Sequence, residues 1–369
     1  MKILHVITSL NDGGAEASLY RLIKETQGPV DNYVISLRST GKYSELLQEI
    51  GVQTFHLNIS QLFQVPKQIF FLYSLIKKID PDVIQTWLYH ADFIGGIVGK
   101  MAKKKVFWGI HNTTLEFGKS SFATIILVRI LTCLSYFIPE KIISCSNSST
   151  LYHVNLGYCK QKFLTIHNGI DIKTFHRSTH LRNLFRAELG LLNNSDLCIG
   201  TVARNDPQKD YPNLISALRL LQDQQISFKC VIAGSNTEQL LQLVQTQGLE
   251  RKIIILGPRN DIPKLMNGLD LFVLPSAYGE ACPNVLLEAM ACGVPCVSTN
   301  LGDCKYIIGE TGKVVEPHNC QQLSQAILSQ ISHLSVERSE CCLNRVSKYF
   351  TLDKMATSYQ NAWQEILSR

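Results

Sequence analysis

The sequence predicts an α/β protein with two doubly wound parallel sheets, one in each half of the chain. Three observations carry this. Short β-rich runs alternate with helix-period segments from end to end, the pattern of parallel strands joined by helical crossovers rather than of a sandwich. The 369 residues are 45% hydrophobic and 18% charged, enough apolar material for a large core, and single cores stop growing at roughly 250 to 300 residues. Between two series of strands lies Asn168-Gly169-Ile170-Asp171, which is turn chemistry, followed by the polar stretch His176 to Asn183.

The first strand, Ile3–Ile7, meets a glycine turn and a helix, Ser18–Glu25. Tyr33–Leu37, Gln53–Leu57, Val83–Thr86, Val106–Ile110 and Lys141–Cys145 continue the first series, with apolar helices at Ile69–Ile79 and Phe122–Phe137. A helix ending near Gly190 opens the second half. Its strands are Leu197–Val202, Lys229–Ala233, Ile253–Leu256, Leu271–Leu274 and Pro295–Thr299, with helices at Asn213–Leu221 and from Pro283 to Gly293. The domains are expected at 1–175 and 176–350. Met355, Tyr359, Trp363 and Ile366 then recur at spacings of four, four and three, the apolar stripe of an amphipathic helix within 351–369.

Composition narrows the function. The 12 cysteines are scattered, mostly inside apolar runs, and read as reduced buried thiols in a cytoplasmic protein. Cys292 and Cys296 lack a second pair or a nearby histidine, which argues against zinc. Met1–Ile7 is too short an apolar run for a signal peptide. Ser120–Ile138 is apolar, but Arg129 at its centre favours a buried or interfacial helix over a membrane span. Residues 1–173 hold 18 Lys and Arg against 12 Asp and Glu, whereas 174–369 hold 18 of each. Part of that excess is Lys100, Lys103, Lys104 and Lys105, beside apolar helices. It reads either as a solvated helix end or as a face resting on anionic lipid at the inner side of a membrane. No nucleic-acid motif accompanies it.

Three segments carry chemistry. In Asn11-Asp12-Gly13-Gly14-Ala15-Glu16, two glycines at a strand-to-helix turn let backbone approach a ligand and aim amides at an anion. The pattern is neither GxGxxG nor a P-loop, and a plain tight turn is the alternative. Arg204 and Lys209 stand where a parallel strand ends, in the crevice where doubly wound sheets bind ligands, and suit a phosphate. In the run Leu274–Val297, a glycine loop carries Glu280, Pro283 suits the first helical position, and Glu288 lies on the helix beside Leu286 and Leu287. A carboxylate there needs partners, and ribose hydroxyls would serve; the alternatives are an exposed loop acid and a solvated helix face.

Glu280 and Glu288 enclose seven residues and are followed by Ala-Met-Ala-x-Gly-x-Pro. With Gly13-Gly14-Ala15-Glu16, His111-Asn112, Asn168-Gly169-Ile170-Asp171 and Val202-Ala203-Arg204 plus Lys209 in order, this resembles the Glu-x7-Glu signature of retaining family 4 glycosyltransferases, over nearly the whole chain. The resemblance implies a GT-B fold: two Rossmann-like domains across a cleft, 1–175 for the acceptor, 176–350 for the nucleotide sugar, and the helix 351–369 crossing back to the first domain. It implies that Arg204 and Lys209 hold the donor diphosphate, Glu288 the ribose and Glu280 the transferred sugar. Gly14, with Gly13 beside it, resembles the glycine that meets the distal phosphate, and His111 the histidine facing the sugar. Pro258, Arg259, Ala281, Cys282, Pro283 and Asn284 complete the donor-binding candidates. Asp210, where a glycine often stands, and the missing Phe-Gly pair after Glu280 depart from the pattern.

The resemblance further implies a metal-independent, cofactor-free hexosyltransferase with retention. It would use a nucleotide diphosphate sugar, UDP before GDP, and a glycan or lipid-linked acceptor of cell-surface polysaccharide or glycolipid synthesis. Arg38–Tyr43 and Thr113–Ser121 are candidates to line the acceptor site. A sugar-nucleotide epimerase on the same scaffold and a non-catalytic nucleotide-sugar-binding subunit are the competing readings.

Overall fold

The computed structural model describes residues 1–59, 65–112, 121–191 and 197–368. Two compact units emerge, one from Met1–Gly169 with Leu352–Arg369, the other from Ile170–Thr351. The chain passes between them at 169/170 and 351/352 rather than at 175/176. Ile170 is already tied to the second unit, its N–H donating to the Phe350 carbonyl at 2.8 Å and its backbone bridging Thr351. The polar stretch from His176 also belongs to a regular element. Ser178 caps the helix Thr179–Glu188, so polarity marks that helix's wet face and not a loop.

The first unit is a seven-stranded parallel sheet of β1 (Lys2–Ile7), β2 (Asp31–Ser36), β3 (Gln53–His56), β4 (Val83–Trp87), β5 (Lys105–Ile110), β6 (Lys141–Ser144) and β7 (Phe163–Thr165). Its order is β3-β2-β1-β4-β5-β6-β7. The second unit is a six-stranded parallel sheet of β8 (Cys198–Val202), β9 (Lys229–Ala233), β10 (Ile253–Gly257), β11 (Leu271–Leu274), β12 (Cys296–Thr299) and β13 (Lys313–Val315), in the order β10-β9-β8-β11-β12-β13. Both are doubly wound, with a change of direction between β1 and β4 and between β8 and β11. Sequence pattern does not mark β7 and β13. Each is three residues at a sheet edge, only partly covered, and too short to show a period.

Helices cover both faces of each sheet, and the last helix, Leu352–Leu367, closes the core of the first unit. Its stripe of Met355, Tyr359, Trp363 and Ile366 is buried in one cluster with Leu19, Leu22 and Ile23 of the helix Gly14–Thr26 and with Trp87. All 12 cysteines are free thiols. Asp80 and Asp82 are turn residues before β4, Asp82 accepting the Lys2 N–H at 2.8 Å.

Burial favours the neutral forms of several titratable groups in the first unit. The His5 ring takes the Trp87 indole N–H at Nδ1 (3.2 Å) and meets Asn32 Oδ1 through Nε2 (3.0 Å). His153 lies between the Tyr89 hydroxyl (2.7 Å) and the Ser149 carbonyl (2.7 Å). Burial lowers His5, His111 and His153 to about 4. Burial also raises Asp92 to about 8, against the opposing hydrogen bond from Thr86.

These shifts predict a stability maximum near pH 6.5. Between about pH 4 and 6.5 the unfolded chain protonates three histidines that the folded chain keeps neutral, while folded Asp92 holds a proton the unfolded chain has lost. Net uptake on unfolding is then about two protons, and stability climbs with pH by about 1.4 kcal/mol per proton per pH unit. Above pH 6.5 only Asp92 differs, and stability declines again towards pH 8. Trp87, Trp108 and Trp363 all lie in the first unit. Urea unfolding followed by tryptophan emission therefore reads that unit, and a flat profile from pH 4.5 to 8 would refute the assignment.

Candidate functional site

In the second unit, the loops leaving β8 and β11 are stitched together on either side of the switch point. Behind β8 the chain runs through Ala203 and Arg204 into a 3-10 turn, Pro207–Lys209. Behind β11 it runs through Ser276 and Glu280 into the helix Asn284–Ala291. Lys209 Nζ donates to Glu280 Oε1 at 2.5 Å, Ser276 Oγ to the same oxygen at 2.7 Å, and the Ala277 N–H to the Gln208 carbonyl at 2.7 Å. Thr299, ending β12, donates to the Ser276 carbonyl at 2.7 Å. The Glu280 side chain is 8% exposed and that of Lys209 16%, so Glu280 is not an exposed loop acid.

Two backbone positions fix these loops. Gly302 has φ +52°, and a Cβ there would stand 2.3 Å from the Glu280 carbonyl oxygen, so only glycine lets the loop behind β12 pass. Asp210 has φ 44° and ψ 50°, the left-handed region where glycine is usual and aspartate is tolerated. Its carboxylate accepts the Asn213 N–H at 3.3 Å and caps the helix Tyr211–Asp223. The departure from glycine thus keeps the loop shape and adds a cap.

The remaining candidates separate. The Arg204 guanidinium is about half exposed, with Nε 3.4 Å from Asp206 Oδ2. Glu288 is buried in the second turn of the helix Asn284–Ala291, against the solvated-face alternative. Burial, with the Glu288 charge, pushes the Cys292 thiol up to about 12. Pro283 takes the cap position one residue before the helix rather than the first helical position; Ala281, Cys282 and Pro283 are buried, Asn284 partly so, and Pro258 is exposed. The Arg259 guanidinium meets Asp261 (2.6 and 2.7 Å) and Glu188 (2.7 Å), in a cluster that Lys264 joins. Asp261 is two residues on, but local sequence holds no hint of Glu188, which lies 71 residues away.

In the first unit, Gly13 is the extended cap residue and Gly14 the first residue of the helix Gly14–Thr26. Glu16 folds back over Gly13, where a Cβ would meet its Oε2 at 2.3 Å, and Ser9 Oγ donates to its Oε1 at 2.9 Å. His111, behind β5, stacks on Trp87 with centroids 4.9 Å apart and planes at 19°. Trp87 stacks in turn on Tyr359 of the last helix, at 5.9 Å and 17°. His111 Nε2 is buried, without a hydrogen-bond partner among the described residues. Arg38 is exposed, and Lys42 pairs with Asp12 at 3.0 Å. Of the other acceptor-lining stretch, residues 113–120 lie outside the described residues. Among those described, no group of three His, Cys, Asp or Glu side chains is placed to hold a metal ion. Sequence reasoning missed Ser9 and Ser276, whose hydroxyls turn onto Glu16 and Glu280 a few residues away, and Trp87 and Thr299, whose contacts join distant segments.

Comparison with known proteins divides the chain in the same way. A model described as Glycosyltransferase Family 4 matches residues 12–174, and one described as Glycosyl transferases group 1 matches 196–333. The UDP-Gal:alpha-D-GlcNAc-diphosphoundecaprenol alpha-1,3-galactosyltransferase of Escherichia coli is 24% identical over 356 residues, 94% of this chain and 89% of that protein. The N,N'-diacetylbacillosaminyl-diphospho-undecaprenol alpha-1,3-N-acetylgalactosaminyltransferase of Campylobacter jejuni is 24% identical, over 85% and 86%. Anabaena HepE, solved in complex with UDP, superposes with a TM-score of 0.87 at 24% identity, covering 99% of this chain and 100% of that one.

The pairing of Lys209 with Glu280 makes a prediction about stability. Lys209→Met strips the cation from a buried carboxylate and should cost the second unit about 1 to 3 kcal/mol. Glu280→Gln on that background should recover part of the loss. Scanning calorimetry of the two single variants and the double variant checks it, and additive losses would show that the contact carries no coupling.

Proposed function

The chain belongs to the glycosyltransferases of the family 4 and group 1 type, with the GT-B fold of two doubly wound sheets, and on that premise we propose a retaining, metal-independent hexosyltransferase that draws on a UDP-sugar. Its acceptor in this reading is a lipid-linked saccharide of cell-surface polysaccharide synthesis, as the names of the Escherichia coli and Campylobacter relatives suggest. The observation that carries the reading is the Lys209–Glu280–Ser276 cluster at the switch point of the second sheet, with Arg204 on the loop that leaves β8.

The proposed chemistry rests on those groups. Arg204 and Lys209 offset the charge that grows on the diphosphate as the sugar–oxygen bond breaks. Glu280, already accepting two donors, takes hydroxyls of the transferred sugar, and Glu288 accepts from ribose. The sugar passes through an oxocarbenium-like state while the departing phosphate takes the acceptor proton on the same face, so configuration is kept without a protein nucleophile. His111, held neutral by burial, offers a hydrogen bond at the acceptor side and not a charge. In this reading the cations of Arg204 and Lys209 do the work that a metal ion would otherwise do.

Incubation with a UDP-hexose and a short-chain polyprenyl diphosphate saccharide, in the presence of a chelator, tests this. Expected is a product whose new linkage has the donor's anomeric configuration; inversion, loss of activity with the chelator, or an epimerised donor without transfer would each refute part of it. Arg204→Ala should lower kcat on the order of a hundredfold. Glu288→Gln, touching a part of the donor that does not react, should chiefly raise KM, whereas Glu280→Gln should chiefly lower kcat. The reverse split would exchange the roles of the two acids.

A further inference from the structure

The helix Phe122–Leu134 holds one charged residue, Arg129, and is apolar nearly all round. Inward, Val128 and Leu131 join the core cluster around Trp108 and Ile142. Outward, Phe122, Ile126 and Ile130 form a stripe at spacings of four, and Phe137 continues it just past the helix; Phe122 is 69% exposed and Phe137 75%. A helix apolar on every side calls for burial on every side. The protein supplies one side only.

Its neighbours repeat the pattern. The helix Val65–Ile79 buries Leu72, Leu75 and Ile76 in the same cluster and exposes Phe70 and Phe71 between Lys67 and the pair Lys77-Lys78, with no acid along its length. The helix Tyr89–Met101 packs on both, its Phe93, Ile94 and Ile97 only partly covered. Among the described residues, every exposed phenylalanine lies on these helices or at their ends.

Charge selects the occupant. The two outer helices carry Lys67, Lys77, Lys78 and Arg129 and no carboxylate. Lys162 adds to them, reaching the Tyr136 carbonyl at 2.7 Å. Among the described residues that flank these helices in sequence, Glu140 is matched by Lys100 at 3.6 Å and Asp80 by Lys104 at 2.5 Å. Lys104 is thus spoken for, whereas Lys103 and Lys105 remain exposed. A second copy docked symmetrically would set cation against cation. The 13-residue helix Phe122–Leu134 is about 20 Å long against roughly 30 Å of hydrocarbon. No described helix is long and apolar enough to cross a membrane.

We propose that this face rests on an anionic lipid bilayer, the phenylalanines and isoleucines entering the headgroup boundary and the cations meeting lipid phosphates. The proposal extends the lipid-linked acceptor reading, yet its test needs no turnover. Flotation of the full chain with mixed phosphatidylcholine–phosphatidylglycerol vesicles, against pure phosphatidylcholine, should show binding to the anionic vesicles that weakens but persists at about 0.5 M salt. Phe122→Ser/Ile126→Ser/Phe137→Ser should lower the partition roughly tenfold or more, with the tryptophan-monitored melt and transfer to a water-soluble acceptor unchanged. Should that variant fail to fold, Lys67→Glu/Lys77→Glu/Lys78→Glu carries the test and should remove the preference for anionic vesicles. Absence of flotation, equal flotation of the variants, or a dimer by light scattering that the serine variant disperses would each overturn the proposal. Loss of transfer in the wild type with flotation intact would refute the catalytic reading alone.

Discussion

A lysine and a glutamate, largely buried and 2.5 Å apart, hold the working edge of the second sheet together. β8 and β11 are neighbours whose connections leave in opposite directions, so nothing in the sheet itself closes the gap between the loops behind them. Lys209 crosses it to Glu280, and the backbone bond from Ala277 to Gln208 runs alongside. Such a pair adds little net stability, because desolvating both charges consumes most of their attraction. Two apolar residues of similar volume would hold the loops as well. What apolar residues would lack is a cation and an acceptor already oriented and already stripped of water, at an edge where a charged ligand arrives. The Gly302 approach and the Asp210 cap then read as the surroundings that keep those two loops in register.

Strand positions were legible because parallel buried strands are continuous apolar runs, visible without any knowledge of partners. Glu280 and Glu288 were legible because one loop and one helix carry both, which fixes their separation locally. Thr299 and Trp87 were not, since each acquires its role from segments adjacent in space and not in sequence, and a serine such as Ser276 beside a loop acid is too common a pattern to single out. β7 and β13 escaped for a related reason: three edge residues, covered on one side only, leave no pattern. Arg259 is a candidate from its position behind a strand end, and its long-range partner is not visible there: Glu188 and Asp261 take its guanidinium between the helices Thr179–Glu188 and Ile262–Gly268.

The last helix shows how distant sequence can shape a site within one unit. Trp363 donates to Gln85 Oε1 at 3.2 Å, and Tyr359 supports the Trp87 ring on which His111 lies. An imidazole seated on an indole stack, with Nε2 buried, is costly to charge, which is the physical reason it stays neutral far below the usual histidine range. It is therefore suited to a fixed hydrogen bond and poorly suited to carrying a proton back and forth near neutral pH. Residues 352–367 accordingly belong with the first unit by function of packing as well as by contact.

Ordinary crossover helices in this chain obey a simple division, apolar towards the sheet and polar towards water. Tyr211–Asp223, between β8 and β9, is typical, burying Leu214, Leu218 and Leu221 while Arg219 and Asp223 pair on its outer side. Phe122–Leu134 breaks the division on its outer side alone, while its inner side is filled as well as any. Core packing cannot account for the outer residues, because serine or lysine at Phe122 or Ile126 would leave every inward contact in place. Isolated exposed hydrophobics need no explanation, but a stripe at helical spacing, flanked by cations and continued on an adjacent helix, lowers solubility at no gain in folding stability. Its sequence therefore answers to a constraint outside the fold, and the missing carboxylates say that the constraint carries negative charge.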